Sequence, residues 1–213
     1  MAKGMCATSL LVIILNLFIL TSSAMDAMTV VDLTYSLDPK AIGWPVHPPF
    51  KMEILQRGFN DAFKLYLEWN KFNMGEHRGT HTDAPSHFVQ GHWRNHEVPS
   101  SHLVGPGVVV DVRAKVRDNP VYKMTVEDLK AWEKENGRIP NGAVVLMSSG
   151  WGKRYPDPKQ VFNTNNVTDT ASYKFPSIHA AAAEFLANER NVTAVGVDVP
   201  SPDCADPAMP THV

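Results

Sequence analysis

Residues 77–88 read HRGTHTDAPSHF and concentrate side chains that bind metal ions. Within eleven positions the stretch places three histidines and one aspartate, namely His77, His81, Asp83 and His87. Imidazole and carboxylate groups are ligands that Zn²⁺ and Mn²⁺ accept. Because clustering such groups without a partner is costly, we expect them to hold a divalent cation rather than to form a solvated loop.

The spacing of these four residues predicts a curled backbone. The intervals are four, two and four positions, so an extended chain would direct all four side chains to one face. A straight strand would nevertheless spread His77 to Asp83 over about 20 Å, whereas metal–ligand bonds are about 2 Å long. Gly79 permits a bend and Pro85 opposes an ordinary helix. The two oxygens of Asp83 can bridge two ions, so the stretch predicts a site for one or two cations.

The composition is that of one globular domain. The chain has 213 residues, of which 44% are hydrophobic and 20% charged, enough to build a core. The net charge of −2 and the absence of a basic stripe exclude a nucleic-acid partner. Six of the nine histidines fall between positions 77 and 102, so the chemistry is concentrated there.

Residues 1–24 predict a secretory signal peptide that precedes a single domain over residues 25–213. Lys3 gives a positive start, an apolar run follows over 10–20, and small residues end the segment at Ala24. The run is short for a membrane span, so we expect secretion without stable membrane insertion, with an uncleaved anchor as the alternative. Two sequons, at Asn166 and Asn191, fit N-glycosylation on that route. Cleavage would leave Cys204 as the single cysteine, which excludes an internal disulfide.

The hydrophobic pattern predicts an α/β fold. Helices are expected from Thr125, a good N-cap, to residue 135 with Gly137 as the stop, and over residues 180–188 with Ser177 as the cap. Apolar or alternating segments predict strands at 30–33, 51–56, 63–72, 108–112, 143–148 and 192–199. Strands that alternate with helices indicate an α/β domain, and the apolar run at 108–112 indicates burial.

The stretch His77-x-Gly79-Thr80-His81-x-Asp83-x-Pro85-x-His87 resembles the signature of the metal-dependent cyclase family. The likeness extends over about residues 30–213, through Val31-Asp32-Leu33, Gly105-Pro106-Gly107, Ser149-Gly150-Trp151 and Gly196-Val197-Asp198. It implies a swivelling β/β/α domain with a mixed sheet and two or more helices, often assembled as a homodimer. Family members continue beyond the position of Val213, so we expect a C-terminally incomplete domain here.

The same resemblance implies the site residues. It assigns the catalytic metal to His77, His81 and Asp83, and gives His87 either a second metal or the role of acid/base. His212 resembles the late histidine of members with two ions. The cofactor implied is Zn²⁺ or Mn²⁺.

The resemblance also implies hydrolysis of a small aromatic amide. The expected reaction is conversion of N-formylkynurenine to kynurenine and formate, with His87 passing a proton to the leaving nitrogen. Opening of a cyclic amide of the isatin type is one alternative, and a non-catalytic metal-binding protein of the same fold is another. Trp44, Phe88 and Trp93 are expected to wall the substrate pocket, although aromatic residues are also ordinary core residues.

Overall fold

The computed structural model describes residues 29–204 and Thr211. The described residues divide into two units, one that ends at Thr34 and one that begins at Tyr35. The helices and strands described below all lie in the second unit. The predicted signal peptide, residues 1–24, lies outside the described residues.

The strand predicted at residues 30–33 does not form. These residues are exposed and have no strand conformation. The carboxylate of Asp32 accepts hydrogen bonds from the backbone N–H and the hydroxyl of Thr34, at 2.9 and 2.7 Å. Such a local turn competes with strand pairing, and a β-like pattern is realised only where a neighbouring strand covers it.

The first two strands form an antiparallel hairpin. Strand β1 spans Lys51–Asn60 and ends four residues beyond its predicted end at 56. Strand β2 spans Leu65–Asn73, so it begins two residues after its predicted start at 63 and ends one residue after its predicted end at 72. The register shifts between Ile54 and Gln56, which marks a bulge in β1. The hairpin leaves large apolar side chains exposed, among them Met52, Ile54, Leu55, Phe59, Leu65, Tyr66, Trp69 and Phe72.

A parallel three-stranded sheet forms the centre of the second unit. Strands β3 (Gly107–Asp111), β5 (Val144–Ser148) and β7 (Ala194–Val197) lie in the order β3-β5-β7. The α/β class is thereby confirmed, but within the described residues this sheet and the hairpin are separate sheets rather than one mixed sheet. Strand β3 alternates between buried Val108 and Val110 and exposed Val109, so the predicted burial is confirmed for one face of the strand only.

The helix predicted after Thr125 is confirmed. Two helices lie between β3 and β5, and they are α1 (Arg113–Asp118) and α2 (Val126–Asn136). At the start of α2, Thr125 and Asp128 form a capping box, in which the Thr125 N–H donates to Asp128 Oδ2 at 2.8 Å. Gly137, with φ of +87°, ends the helix as expected.

The second predicted helix begins at residue 180 as expected, but its N-cap is not the predicted Ser177. Strand β4 (Lys123–Met124) pairs in parallel with β6 (Ser177–Ile178), so Ser177 lies in a strand and does not cap the helix. His179 is the N-cap, and its Nδ1 accepts from the Ala181 N–H at 3.2 Å. A short helix, α3 (Pro158–Val161), precedes β6, while α4 (Ala180–Glu184) follows it and continues as a π-helical turn over Phe185–Glu189.

The core lies between the parallel sheet and these helices. Its most deeply buried large side chains include Met124, Leu129, Ile139, Val145, Met147, Phe162, Phe175 and Leu186. Within residues 29–204, none of the helices has the length and apolar character needed to cross a membrane.

Candidate metal centre

Residues 77–88, the candidate metal-binding loop, form a curled loop, as their spacing predicts. Gly79 adopts a left-handed φ of +64°, which favours glycine, and Pro85 begins a 3₁₀ turn, Pro85–His87. Tyr35 connects this loop to the rest of the unit. Its N–H donates to Thr80 Oγ1 at 3.2 Å, and its hydroxyl donates to the Gly152 carbonyl at 3.0 Å. Since Gly152 follows β5 closely, the loop lies near the carboxyl end of the parallel sheet.

The loop brings its four predicted ligands together. Asp83 Oδ1 lies 2.9 Å from His77 Nδ1 and 3.3 Å from His81 Nε2. The ring of His87 is 4.2 Å, centroid to centroid, from that of His77. One ligand atom from each of His77, Asp83 and His87 lies within 4.8 Å of the others. The tightest set therefore includes His87, which the resemblance gave a separate role, while His81 contacts the set through Asp83.

The protonation states suit a cation site. Burial alone would raise the pKa of Asp83, but its hydrogen bond to His81 and the positive charges of His81, His77 and His87 together lower that pKa to about 2. The hydrogen bond to Asp83 raises the pKa of His81, against the opposing effect of burial. Asp83 is therefore an anion at neutral pH, and it attracts positive charge from protons or from a metal ion.

His81 has the orientation of a metal ligand. Its Nδ1 lies 2.9 Å from the Gly79 carbonyl oxygen, which can only accept, so Nδ1 carries the proton of the neutral ring. Nε2 faces Asp83 and donates a hydrogen bond to its carboxylate, and it would offer its lone pair to a cation that replaced this proton. Ligand histidines commonly have their second nitrogen fixed in this way by a carbonyl or carboxylate.

The dimensions of the cluster fit a divalent cation. Two ligand atoms at about 2.1 Å from one tetrahedral ion are separated by about 3.4 Å. The ligand atoms of His77, Asp83 and His87 are within 4.8 Å of one another, so small side-chain rotations bring them to bonding distance. The donor set of imidazoles and one carboxylate agrees with Zn²⁺ or Mn²⁺.

Of the predicted pocket aromatics, two lie beside the cluster. Phe88 packs its ring 4.1 Å from the ring of His87 and is partly exposed. Trp93 is exposed, and its carbonyl accepts from the Ser86 N–H at 3.0 Å, which holds it next to the metal-binding loop. Trp44 instead packs edge-on against Phe162 and Tyr173 at the margin of the core, at centroid distances of 5.8 and 5.4 Å.

The remaining predicted residues lie away from the cluster or outside the described residues. His212 is among the latter. Asn166 and Asn191 are exposed, and the side chain of Asn166 accepts from Thr168, the third residue of its own sequon, at 2.8 Å. Burial raises the pKa of the Cys204 thiol, whose Sγ accepts from the Phe175 N–H at 3.2 Å. This makes Cys204 a structural thiol rather than a reactive thiolate.

Sequence reasoning missed the segment that supports the cluster. Residues 41–48 run beside the metal-binding loop, where the Gly79 N–H donates to the Ile42 carbonyl at 2.7 Å and the Trp44 N–H donates to the His77 carbonyl at 2.9 Å. The segment also places the ring of His47 5.3 Å from that of His77. These contacts join residues 30 to 37 positions apart, and no local pattern indicates them.

These observations define a class of protein. It is an α/β domain with a histidine–aspartate cluster near its parallel sheet. Residues 31–204 match the model of the Cyclase family, and the chain belongs to that family. The resemblance identified from the stretch that begins at His77 is thereby confirmed.

The similar proteins are hydrolases. Isatin hydrolase from Roseibium aggregatum is 29% identical over 196 residues, covering 86% of this chain and 73% of the relative. Kynurenine formamidase from Bacillus mycoides is 27% identical over 177 residues, covering 83% of this chain and 71% of the relative. The solved structure of isatin hydrolase A from Ralstonia solanacearum matches with a TM-score of 0.75 and 32% identity, covering 99% of this chain and 81% of that one. The chain is thus a cyclase-family protein related to hydrolases of both types.

Proposed function

We propose that the chain is a metal-dependent hydrolase of small aromatic amides. The observation that carries the proposal is the convergence of His77, Asp83 and His87 on one point, with His81 directed at the same carboxylate. A divalent cation, when bound, supplies Lewis-acid activation of a carbonyl group and of water. The side chains of the chain itself hold the cation, orient the substrate and move the proton.

In this proposal His77, His81 and Asp83 hold the cation and His87 moves the proton. Asp83 remains ionised at neutral pH because of its low pKa, so it is ready to bind without losing a proton. His87 ends an exposed turn next to Phe88, where an aromatic substrate can stack. An imidazole at that place can accept a proton from water and then, as the imidazolium, pass it to the departing amide nitrogen.

The His87→Ala protein separates the two roles open to this residue. Full metal content with turnover reduced about 100-fold or more supports proton transfer, the range typical of a lost acid/base group. Loss of metal identifies His87 as a ligand instead. Full metal content with unchanged turnover contradicts both roles.

Within aromatic amides, we propose a cyclic amide of the isatin type as the first substrate to test. Isatin hydrolases are the more similar relatives, with 29% and 32% identity against 27% for the kynurenine formamidase. N-formylkynurenine, the linear substrate expected from the sequence, is the second candidate. Both contain an amide carbonyl on a nitrogen that is bonded to an aromatic ring, so the same metal ligands suit either reaction.

The test is a parallel assay of metal content and hydrolysis. The purified chain is loaded with Zn²⁺ or Mn²⁺, assayed with isatin and with N-formylkynurenine, and assayed again after chelation. Turnover that disappears with the metal and returns with it supports the proposal. Tightly bound metal without turnover on either substrate favours a non-catalytic metal-binding protein.

We also propose that the chain forms a homodimer on the secretory route. The apolar residues exposed on the β1–β2 hairpin support a protein partner, because an isolated hairpin gains stability by packing. Asn166, exposed in a polar turn, is the better candidate for glycosylation. Light scattering tests the dimer, and secretion with an Asn166→Gln mobility shift tests the route.

A further inference from the structure

We infer that Arg78, which lies between the ligands of the metal-binding loop, is a positioning residue that clamps residues 41–48 against that loop and thereby fixes the direction of His77. The inference rests on the proposed metal site, since it concerns how that site is kept in shape. It adds a residue that is neither a ligand nor a proton carrier.

The guanidinium of Arg78 reaches both ends of the supporting segment. Its Nη1 donates to the Ala41 carbonyl, and its Nη2 donates to the Pro48 carbonyl at 3.3 Å. Its Nε is buried without a hydrogen-bond partner among the described residues. A surface arginine would keep this nitrogen in water, so the guanidinium is held inside the segment by its two carbonyl contacts.

The segment has a glycine where the guanidinium lies. A Cβ atom on Gly43 would be 2.7 Å from Cζ of Arg78, 2.8 Å from Nη2 and 2.9 Å from Nε. These separations are below van der Waals contact, so a side chain at position 43 would displace the guanidinium. Gly43 and Arg78 also form an antiparallel β-bridge. The two residues are therefore a matched pair, and their effects on the site must depend on each other.

The clamp acts on the backbone of a predicted ligand. Hydrogen bonds flank Arg78 on both sides, from the Trp44 N–H to the His77 carbonyl and from the Gly79 N–H to the Ile42 carbonyl. These bonds fix the peptide units that carry the His77 side chain and the Gly79 bend. If the segment 41–48 moves away, His77 loses the support that directs its Nδ1 toward Asp83.

The same clamp holds a further imidazole beside the cluster. Pro48, whose carbonyl accepts from Arg78, follows His47, and the ring of His47 lies 5.3 Å from that of His77. Space for His47 depends on Gly75, where a Cβ atom would be 2.7 Å from Cβ of His47. Loss of the Arg78 contacts is therefore expected to disturb the position of the His47 ring beside His77 as well as the backbone of His77.

The experiment measures the affinity for Zn²⁺ by competition with a chromophoric chelator, and the d–d absorption of the Co²⁺-loaded protein. The variants are Arg78→Ala, Arg78→Lys, Gly43→Ala and the double variant Gly43→Ala/Arg78→Ala. Arg57→Ala is the matched control, since Arg57 pairs with Glu68 on the exposed hairpin. Thermal melting of each apo-protein reports folding separately.

We expect Arg78→Ala to weaken Zn²⁺ binding by about 10- to 100-fold, the range for residues that support a metal ligand, and to change the Co²⁺ absorption. Lysine has no fork to reach two carbonyls, so Arg78→Lys restores only part of the affinity. Gly43→Ala weakens binding in the wild-type background and changes it less than about twofold in the Arg78→Ala background, because the clash has gone. Arg57→Ala leaves the affinity and the absorption unchanged.

Wild-type affinity and absorption in a folded Arg78→Ala protein overturn the inference, and so do additive effects of the two substitutions. If Arg78→Ala does not fold, Gly43→Ala and Arg78→Lys decide, and wild-type Zn²⁺ binding by both overturns it. The wild-type protein is measured first. If that protein binds no cation, the proposed function fails and the inference fails with it, which is distinct from a variant that matches a metal-binding wild type.

Discussion

Replacing Glu133 by glutamine is expected to reduce the stability of the fold in a pH-dependent way. The carboxylate of Glu133 accepts from Arg190 Nε at 2.6 Å and from Nη2 at 2.9 Å, and it also accepts from the Ile139 N–H at 2.9 Å. The side chains are only 14% and 10% exposed, respectively, for Glu133 and Arg190. This ion pair joins helix α2 to the end of the π-helical turn after α4, so it connects two elements that pack on the core.

The pKa of Glu133 gives the magnitude. The hydrogen bonds from Arg190, with help from the Ile139 N–H, lower that pKa from 4.5 to about 2. At about 1.4 kcal/mol per pKa unit the ionised group contributes at most about 3.4 kcal/mol. Part of the pair is in contact with water, and glutamine retains some hydrogen bonding, so we expect a loss of about 2 to 3 kcal/mol at pH 7.

The sign of the pH dependence follows from the lowered pKa. A carboxyl group that is more acidic in the folded state stabilises the fold fully above its unfolded pKa of 4.5, and the contribution is lost as the pH falls toward 2. By pH 3 about 2 kcal/mol of the maximum contribution of about 3.4 kcal/mol is lost. The difference between wild type and Glu133→Gln must therefore shrink on acidification.

The assay is urea denaturation of both proteins at several pH values between 7 and 3. The comparison between proteins removes the contribution of other titrating groups, which both share. Glu53→Gln is the control, because Glu53 pairs with Lys71 at 3.5 Å on the exposed hairpin and should change stability by less than about 1 kcal/mol. A difference between wild type and Glu133→Gln that stays constant from pH 7 to pH 3 would refute the reasoning.

Two other substitutions test the framework that positions the site. Asp198 accepts from the Ser149 and Trp151 backbone N–H groups, both at 3.0 Å, so Asp198→Asn sets an amide N–H₂ against one of them. We expect a loss of about 2 to 4 kcal/mol, measured as a fall in melting temperature of about 4 to 16 °C, and an unchanged melting temperature would count against it. Thr125→Ala removes one half of the capping box with Asp128, and chemical denaturation should show a loss of about 1 kcal/mol, whereas no loss would mean that this cap adds nothing to the helix.

Much of the framework could be predicted from short-range pattern. The strands around Val145 and Val195 lie where β-branched, apolar runs favour a strand, and the two runs pair with each other in the parallel sheet. Thr125 and Gly137 bound helix α2 because capping depends on a few neighbouring residues. These apolar runs and helix caps are recognisable within a few consecutive residues, so the sequence contains enough information to place them.

The missed features depend on partners that are distant in sequence. The segment 30–33 has the composition of a strand, but it forms a local turn in which the Asp32 carboxylate accepts a hydrogen bond from Thr34. Ser177 looks like a cap, yet it pairs with Lys123 in a strand, and that leaves the cap to His179. Which of two locally acceptable structures forms is decided by a neighbouring strand, and the pattern does not identify that neighbour.

In the candidate site, too, the locally patterned residues could be predicted and the long-range contacts could not. The candidate metal-binding loop could be recognised because its four predicted ligands lie close together in sequence, and the structure gathers the histidines around Asp83. The contact of Arg78 with Gly43 has no such signature, since a glycine and an arginine 35 positions apart fit many ordinary roles. The contacts that support a site are tertiary contacts, whereas the residue types that can act as ligands are recognisable in the local sequence.

The proposal depends above all on whether the loop that begins at His77 binds a divalent cation. The decisive measurement is elemental analysis of the folded wild-type protein after loading with Zn²⁺ or Mn²⁺ and gel filtration, beside Asp83→Ala treated in the same way. We predict at least one ion retained per wild-type chain and a large loss in the variant. A wild-type protein that is folded and retains no cation, or an Asp83→Ala protein that retains as much as wild type, would contradict the assignment of the metal centre.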